Sequence, residues 1–169
     1  LYIADNASDR VYVYKSKHPA VPISSFGADV WGGGRLNYFG PNGLGVADDG
    51  AVYVAVWNDD DLDQDGEADH GLWRFRPSDK RLDRVCTLPE APRGVHVLGR
   101  GRRTEVYVAG NAGTVMRCRP SRSGSTFGVQ WLVNTGIRFN QQDVTVSRSS
   151  RALYVSTPPN SISSVSYTH

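Results

Sequence analysis

Long hydrophobic runs are missing from this 169-residue chain. No stretch approaches the ~18–20 consecutive apolar residues that cross a bilayer as a helix, so a membrane-spanning helix is excluded. Helical periodicity is absent over any useful length, which leaves strands as the building material. Cysteine is scarce: Cys86 and Cys118 stand 32 residues apart with no Cys-x-x-Cys spacing, which excludes a zinc or dithiol redox signature. Both lie in strand-like contexts, and two buried thiols and a disulfide are both open. There is no Gly-x-Ser-x-Gly, P-loop or Rossmann fingerprint, and Gly32-Gly33-Gly34 is a loop with no helix after it. Among the four histidines, His18, His70 and His169 fall in turns or at the end, with no metal-ligand spacing. No basic leader precedes Leu1-Tyr2-Ile3-Ala4, and both this opening and Ser163–His169 read as strand interior. The expectation is a fragment or a processed chain.

What is present is repetition. Four segments match: Leu1–Asp5, Val52–Val56, Val106–Gly110 and Leu153–Thr157, with tyrosines at 2, 53, 107 and 154. Each alternates with period two, as a strand with two unlike faces requires. A short strand and a turn precede three of them: Gly43–Ala47 with Asp48-Asp49-Gly50, Gly94–Leu98 with Gly99-Arg100-Gly101, and Asp143–Val146 with Ser147–Ser150. The Asp-Gly and Gly-x-Gly turns supply positive φ angles for tight hairpins. A third strand follows each tyrosine strand, at Arg10–Tyr14, Gly71–Phe75, Thr114–Cys118 and Ser163–Tyr167. A weaker fourth follows around Val21–Ser24, Arg84–Leu88 and Val129–Val133. Units of four antiparallel strands in about 45–50 residues predict an all-β propeller of four-stranded blades. Both faces of each sheet are apolar, so neighbouring blades must cover them. About four blades are expected in one partial propeller over 1–169, with units of roughly 1–30, 31–90, 91–135 and 136–169. The first lacks its first strand and the last its fourth.

Gly33–Ala55 resembles an NHL repeat: a glycine-rich lead, Pro41-Asn42-Gly43, a first strand, the Asp48–Gly50 turn, and a Tyr53-Val54-Ala55 strand. Leu1–Tyr14 is similar to the second half of the same pattern. The third unit keeps Pro92-Arg93-Gly94 without the Asp turn, and the fourth lacks Pro-x-Gly. The resemblance implies a larger ring, usually six-bladed, completed by further blades of the same propeller or by a protein partner.

The net charge of +2 conceals an imbalance, because seven acids crowd between Asp59 and Asp69. Removing those seven from 17 leaves 10 acids against 19 Lys and Arg elsewhere, a basic body carrying one acidic loop. In Asp61-Leu62-Asp63-Gln64-Asp65-Gly66-Glu67-Ala68-Asp69, acids alternate and a glycine permits a sharp turn, an arrangement that gathers oxygen ligands for a hard cation. Position 12 of the EF-hand template would be Leu72, and strands flank the loop, so it is not an EF-hand. It is similar to the DxDxDG calcium loops of dockerins, thrombospondin type 3 repeats and calcium-bearing propellers. The expected ligand set for Ca2+ is Asp59, Asp61, Asp63, Asp65, Glu67 and Asp69, with Asp60 able to close the shell. The plainer alternative is a solvated acidic hairpin loop. Without a cation these carboxylates would repel one another. The ion's expected role is structural, and millimolar calcium outside cells favours a secreted location.

No catalytic set stands out. Related propellers include lactone hydrolases, an amidating lyase and quinoprotein sugar dehydrogenases, which place catalytic groups where the innermost strands meet the central channel. The corresponding positions, just before the innermost strands, are Asn42, Arg93 and Gln142, with no carboxylate among them. Arg93 and His96 leave a calcium-dependent oxidoreductase resembling the quinoprotein sugar dehydrogenases as the alternative. A lone strand histidine is more often a packing or surface residue. Basic residues gather in turns: Arg100, Arg102 and Arg103; Arg117, Arg119 and Arg122; Arg148 and Arg151. The Arg100–Arg103 and Arg148–Arg151 turns are equivalent and should share one rim. No aromatic residues interleave with them, which argues against nucleic acid. Trp31, Trp57, Trp73 and Trp131 are expected to pack between blades. The combined expectation is a non-enzymatic interaction or scaffold module.

Overall fold

The computed structural model describes residues 1–17, 20–28, 30–31, 40–58, 70–134, 143–147, 149, 152–157 and 161–166. These residues form an all-β structure with no α-helix among them. Its strands make four antiparallel sheets, each a meander in which sequence neighbours pair. The first sheet holds β1 (Tyr2–Asp5), β2 (Arg10–Val13) and β3 (Ser24–Phe26). The second holds β4 (Gly40–Val46), β5 (Val52–Trp57), β6 (Gly71–Arg76) and β7 (Arg81–Thr87). The third holds β8 (Pro92–Leu98), β9 (Glu105–Gly110), β10 (Thr114–Pro120) and β11 (Phe127–Asn134). The fourth holds β12 (Asp143–Ser147), β13 (Ala152–Thr157) and β14 (Ser161–Ser166).

Strand periodicity explains how the sheets associate. Side chains alternate between the two faces of a strand, so a strand apolar at every position must be covered on both sides. In β5, Val52, Val54 and Val56 join Val11 and Trp31 in one apolar cluster against the first sheet. Tyr53 and Ala55 point the other way and join Val95, Val97, Val106, Val108 and Met116 against the third sheet. The same division recurs one sheet on: Tyr107 and Ala109 of β9 pack with Val144, Val146, Leu153 and Val155 of the fourth. The sheets therefore stack in series, the tyrosine strands β5 and β9 each filling two interfaces at once.

Several local expectations shift. The outer strand of the first sheet begins at Ser24, not Val21, and Val21 and Ile23 are exposed. Pro22 carries no N–H and cannot donate to a ladder. Phe26 instead anchors the strand, its ring stacked at 4.0 Å on Phe75 of the second sheet. Arg117 is no turn residue. It lies inside β10, 6% exposed, and donates to Gln130 Oε1 at 2.5 Å. Trp31 and Trp73 do pack between the first two sheets, but Trp131 is 52% exposed on outer strand β11. Arg148 and Arg151 lie outside the described residues.

Candidate functional site

The Pro-x-Gly motifs have a structural meaning that strand alternation alone does not reveal. Asn42 and Arg93 do not precede their strands; they lie within β4 and β8, at irregularities of register. Pro41 pairs with Val56 and Gly43 with Ala55, so Asn42 is an extra residue in the ladder. Likewise Pro92 pairs with Gly110 and Val95 with Val108, leaving Arg93 and Gly94 together opposite Ala109. Bulges of this kind re-aim a side chain at the end of a sheet. Proline is tolerated because no ladder donor is needed beside a bulge. The glycine is required by close approach: a Cβ on Gly43 would lie 2.1 Å from the backbone oxygen of Arg93 in the next sheet.

The two re-aimed side chains meet residues placed four positions after the repeated tyrosines: Asn6, Trp57 and Asn111. Asn6 Nδ2 donates to Asn42 Oδ1 at 3.2 Å, and Asn42 Nδ2 donates to the Pro92 carbonyl at 3.1 Å. The Arg93 guanidinium lies 4.5 Å above the Trp57 ring centroid and donates through Nε and Nη2 to Asn111 Oδ1 at 3.4 Å. A row of amides and one stacked cation thus crosses one edge of three consecutive sheets. Asn6 and Asn111 were legible from the repeat register, four residues beyond Tyr2 and Tyr107, had each strand been followed past its apolar core.

Two carboxylates adjoin this row. Asp9 adopts a left-handed conformation at φ 55° beside Gly40, and burial, then the neighbouring Asp5 carboxylate, raises its carboxyl above the ordinary range. Asp5 itself caps a short turn by accepting from the Ala7 N–H at 3.1 Å and the Ser8 hydroxyl at 2.8 Å. Burial also raises Glu90, against opposing hydrogen bonds from the Thr114 hydroxyl and the Ala112 backbone. His96 stands apart from this edge; its Nδ1 lies 3.4 Å from Thr145 Oγ1 of β12, linking the third sheet to the fourth. Gln142 lies outside the described residues.

The predicted calcium ligands Asp59, Asp61, Asp63, Asp65, Glu67 and Asp69 all lie outside the described residues. Among the described residues, no group of three His, Cys, Asp or Glu side chains is placed to hold a metal ion. The residues on either side of the acidic segment meet one another. Asn58 and His70 are both buried, and the Asn58 N–H donates to His70 Nδ1 at 3.2 Å. The acceptor nitrogen must carry its lone pair, which places any proton of a neutral ring on Nε2. The His70 carbonyl accepts from the Leu88 N–H at 2.8 Å and from Arg84 Nη2 at 3.4 Å. His70, read from the sequence as a turn residue, is the clamp that closes the neck of the acidic segment.

The opposite edge carries the Arg100–Arg103 turn. Arg100, Arg102 and Arg103 are exposed around a short 3₁₀ turn (Gly101–Arg103). That turn docks on the β4–β5 turn: the Asp48 N–H donates to the Gly99 carbonyl at 2.9 Å, and the Gly101 N–H to Asp49 Oδ2 at 2.9 Å. Nearby, Glu105 accepts from the Tyr107 hydroxyl at 2.7 Å and from Arg119. Burial alone would raise the Glu105 carboxyl, but the Tyr107 and Arg119 hydrogen bonds outweigh it and the net shift is downward. A depressed carboxylate adds stability above its unfolded value, and that stability disappears as pH falls through the folded value. Glu105→Gln is therefore expected to destabilise the fold at pH 7 by on the order of 0.5–1 kcal/mol, given the exposure of Arg119. Once the pH has fallen below the depressed folded value of Glu105, the variant and parent should melt alike, a comparison that thermal scans down the acid range make directly.

The chain matches no protein-family model, and no curated protein is significantly similar to it.

Proposed function

We propose that the chain is a run of blades of a β-propeller of the NHL type, acting as a non-enzymatic interaction module whose acidic loop binds a structural Ca2+. The observation that carries this reading is the polar row from Asn6 through Asn42 and Arg93 to Asn111. It repeats one device, a bulged residue meeting the end of a tyrosine strand, across consecutive sheets. Amide donors and acceptors with a stacked guanidinium suit recognition of a polar protein surface, since arginine and aromatic groups are favoured anchors in interfaces. Further support comes from serial packing of sheets that are apolar on both faces, the requirement that makes blades repeat. Additional blades of the same propeller or a protein partner complete the ring. Calcium enters through Asp59, Asp61, Asp63, Asp65, Glu67 and Asp69, with the Asn58–His70 clamp holding the loop neck closed so that fewer conformations are lost on binding.

Native mass spectrometry of the purified protein, in calcium and after EDTA, tests both parts. A chelator-sensitive increment of ~40 Da per chain is expected. Asp63→Asn combined with Asp65→Asn should remove it. An assembly larger than one chain is also expected. Absence of any chelator-sensitive mass overturns the calcium assignment, and a strictly single-chain mass overturns completion by a partner.

A further inference from the structure

We infer that Cys86 and Cys118 are the site of a reversible disulfide that bolts the second sheet to the third. The two residues are distant in sequence and sit on different sheets, Cys86 on β7 and Cys118 on β10. Folding brings their sulfurs to 3.8 Å, with the Cys86 thiol donating to the Cys118 sulfur. Both are free thiols at this distance. They lie in the apolar cluster shared by the two sheets, with Cys118 fully buried and Cys86 packed at its margin. Among the described residues, no third His, Cys, Asp or Glu stands with the pair to hold a metal ion. A disulfide needs its sulfurs about 2 Å apart, so the thiols must close by slightly less than 2 Å. Rotation about the side-chain bonds of the partly exposed Cys86 is the natural source of that movement.

The order of events follows from access. Cys86 is the partly exposed residue of the pair and so the one a reagent in solution meets first, whereas Cys118 has no exposed surface. The oxidant is a small-molecule disulfide such as oxidised glutathione. The Cys86 thiolate attacks one of its sulfurs, forming a mixed disulfide and releasing one small thiolate. Cys118 then gives up its proton and attacks the Cys86 sulfur, forming the Cys86–Cys118 bond and expelling the second small thiolate. Two protein thiols lose two electrons and two protons in total, and one small disulfide becomes two small thiols. The hydrogen bond between the two thiols, and then burial, hold the Cys118 thiol well above its ordinary value, which makes the second step the slow one.

The bond would span 33 residues, from the outer strand of one sheet to an inner strand of the next. Cross-linking a loop of that length restricts the unfolded chain and should raise the melting temperature by roughly 10 °C. An oxidising compartment would then keep the sheets tied, and a reducing one would leave them held by packing alone.

The test is to incubate the full chain with oxidised or reduced glutathione and then record its intact mass, alkylatable thiols and melting temperature. Oxidation is expected to remove about 2 Da, abolish both alkylatable thiols and raise the melting temperature by roughly 10 °C, all reversed by dithiothreitol. Cys86→Ala, at the edge of the cluster, should fold and show neither the mass loss nor the rise. The inference fails if both thiols remain alkylatable or if Cys86 stops at a glutathione adduct. It also fails if the cross-link forms without raising the melting temperature, or if Cys86→Ala still gains stability under oxidant.

Discussion

Gly43→Ala is expected to destabilise the protein by about 2–4 kcal/mol, although it adds one methyl group to a residue whose own backbone conformation is ordinary. The added carbon would lie 2.1 Å from the Arg93 carbonyl oxygen and 3.1 Å from Gly94 backbone atoms. Backbone cannot yield as a side-chain tip can, so β4 and β8 must separate. That separation also stretches the hydrogen bond from Asn42 Nδ2 to the Pro92 carbonyl. The melting temperature should drop by roughly 5–15 °C. Gly128→Ala is the control: its added carbon meets nothing within 4 Å, and the effect should stay within about 0.5 kcal/mol of the parent. Equal stabilities for the two variants would mean that the second and third sheets do not approach as described.

The second large effect concerns the first sheet. Trp31→Ala should cost about 3–5 kcal/mol, the range for removing a buried large aromatic. Trp31 is 3% exposed and fills the seam between the first two sheets, 6.2 Å from Phe26 and 6.4 Å from Trp73 by ring centroids, both edge-to-face. Gly27, at φ +108°, passes beneath it, and a Cβ there would meet the indole ring. Trp31→Phe should be milder, on the order of 1–2 kcal/mol. It keeps an aromatic in the seam and removes an indole N–H that is buried without a partner among the described residues. Denaturant titration followed by circular dichroism separates the two variants. A cost for Trp31→Ala below about 1 kcal/mol would show that the first sheet does not melt cooperatively with the second.

Much of the strand content was legible because its cause is local. In Val52-Tyr53-Val54-Ala55-Val56, period two and β-branching leave the chain little else to be, and apolar residues at every position announce two covered faces. The tyrosine register also carried the order of strands within each sheet. The polar edge was harder to read. Asn42 and Arg93 stood out only as residues inside Pro-x-Gly, and their emergence at bulges depends on which residue each neighbouring strand pairs with. Arg117 and Trp131 exchanged their expected environments for a similar reason. Which face of an outer strand is covered depends on the next sheet, and composition does not encode that distance. The acidic segment is the reverse case: its chemistry is plain in the residues, while the described structure supplies only its neck, Asn58 and His70.

The pattern along the chain settled that it is built of repeated antiparallel meanders, because alternation and turn glycines act over a few residues at a time. The same pattern settled that a dense run of carboxylates interrupts one of them. Packing between sheets settled the rest: the contact of Gly43 with Arg93, the row from Asn6 to Asn111, and the approach of Cys86 to Cys118. Each joins residues tens of positions apart, and no local preference specifies such a pairing. They come together because sheets apolar on both faces lose water only by stacking, and the stacking distance then decides which side chains touch.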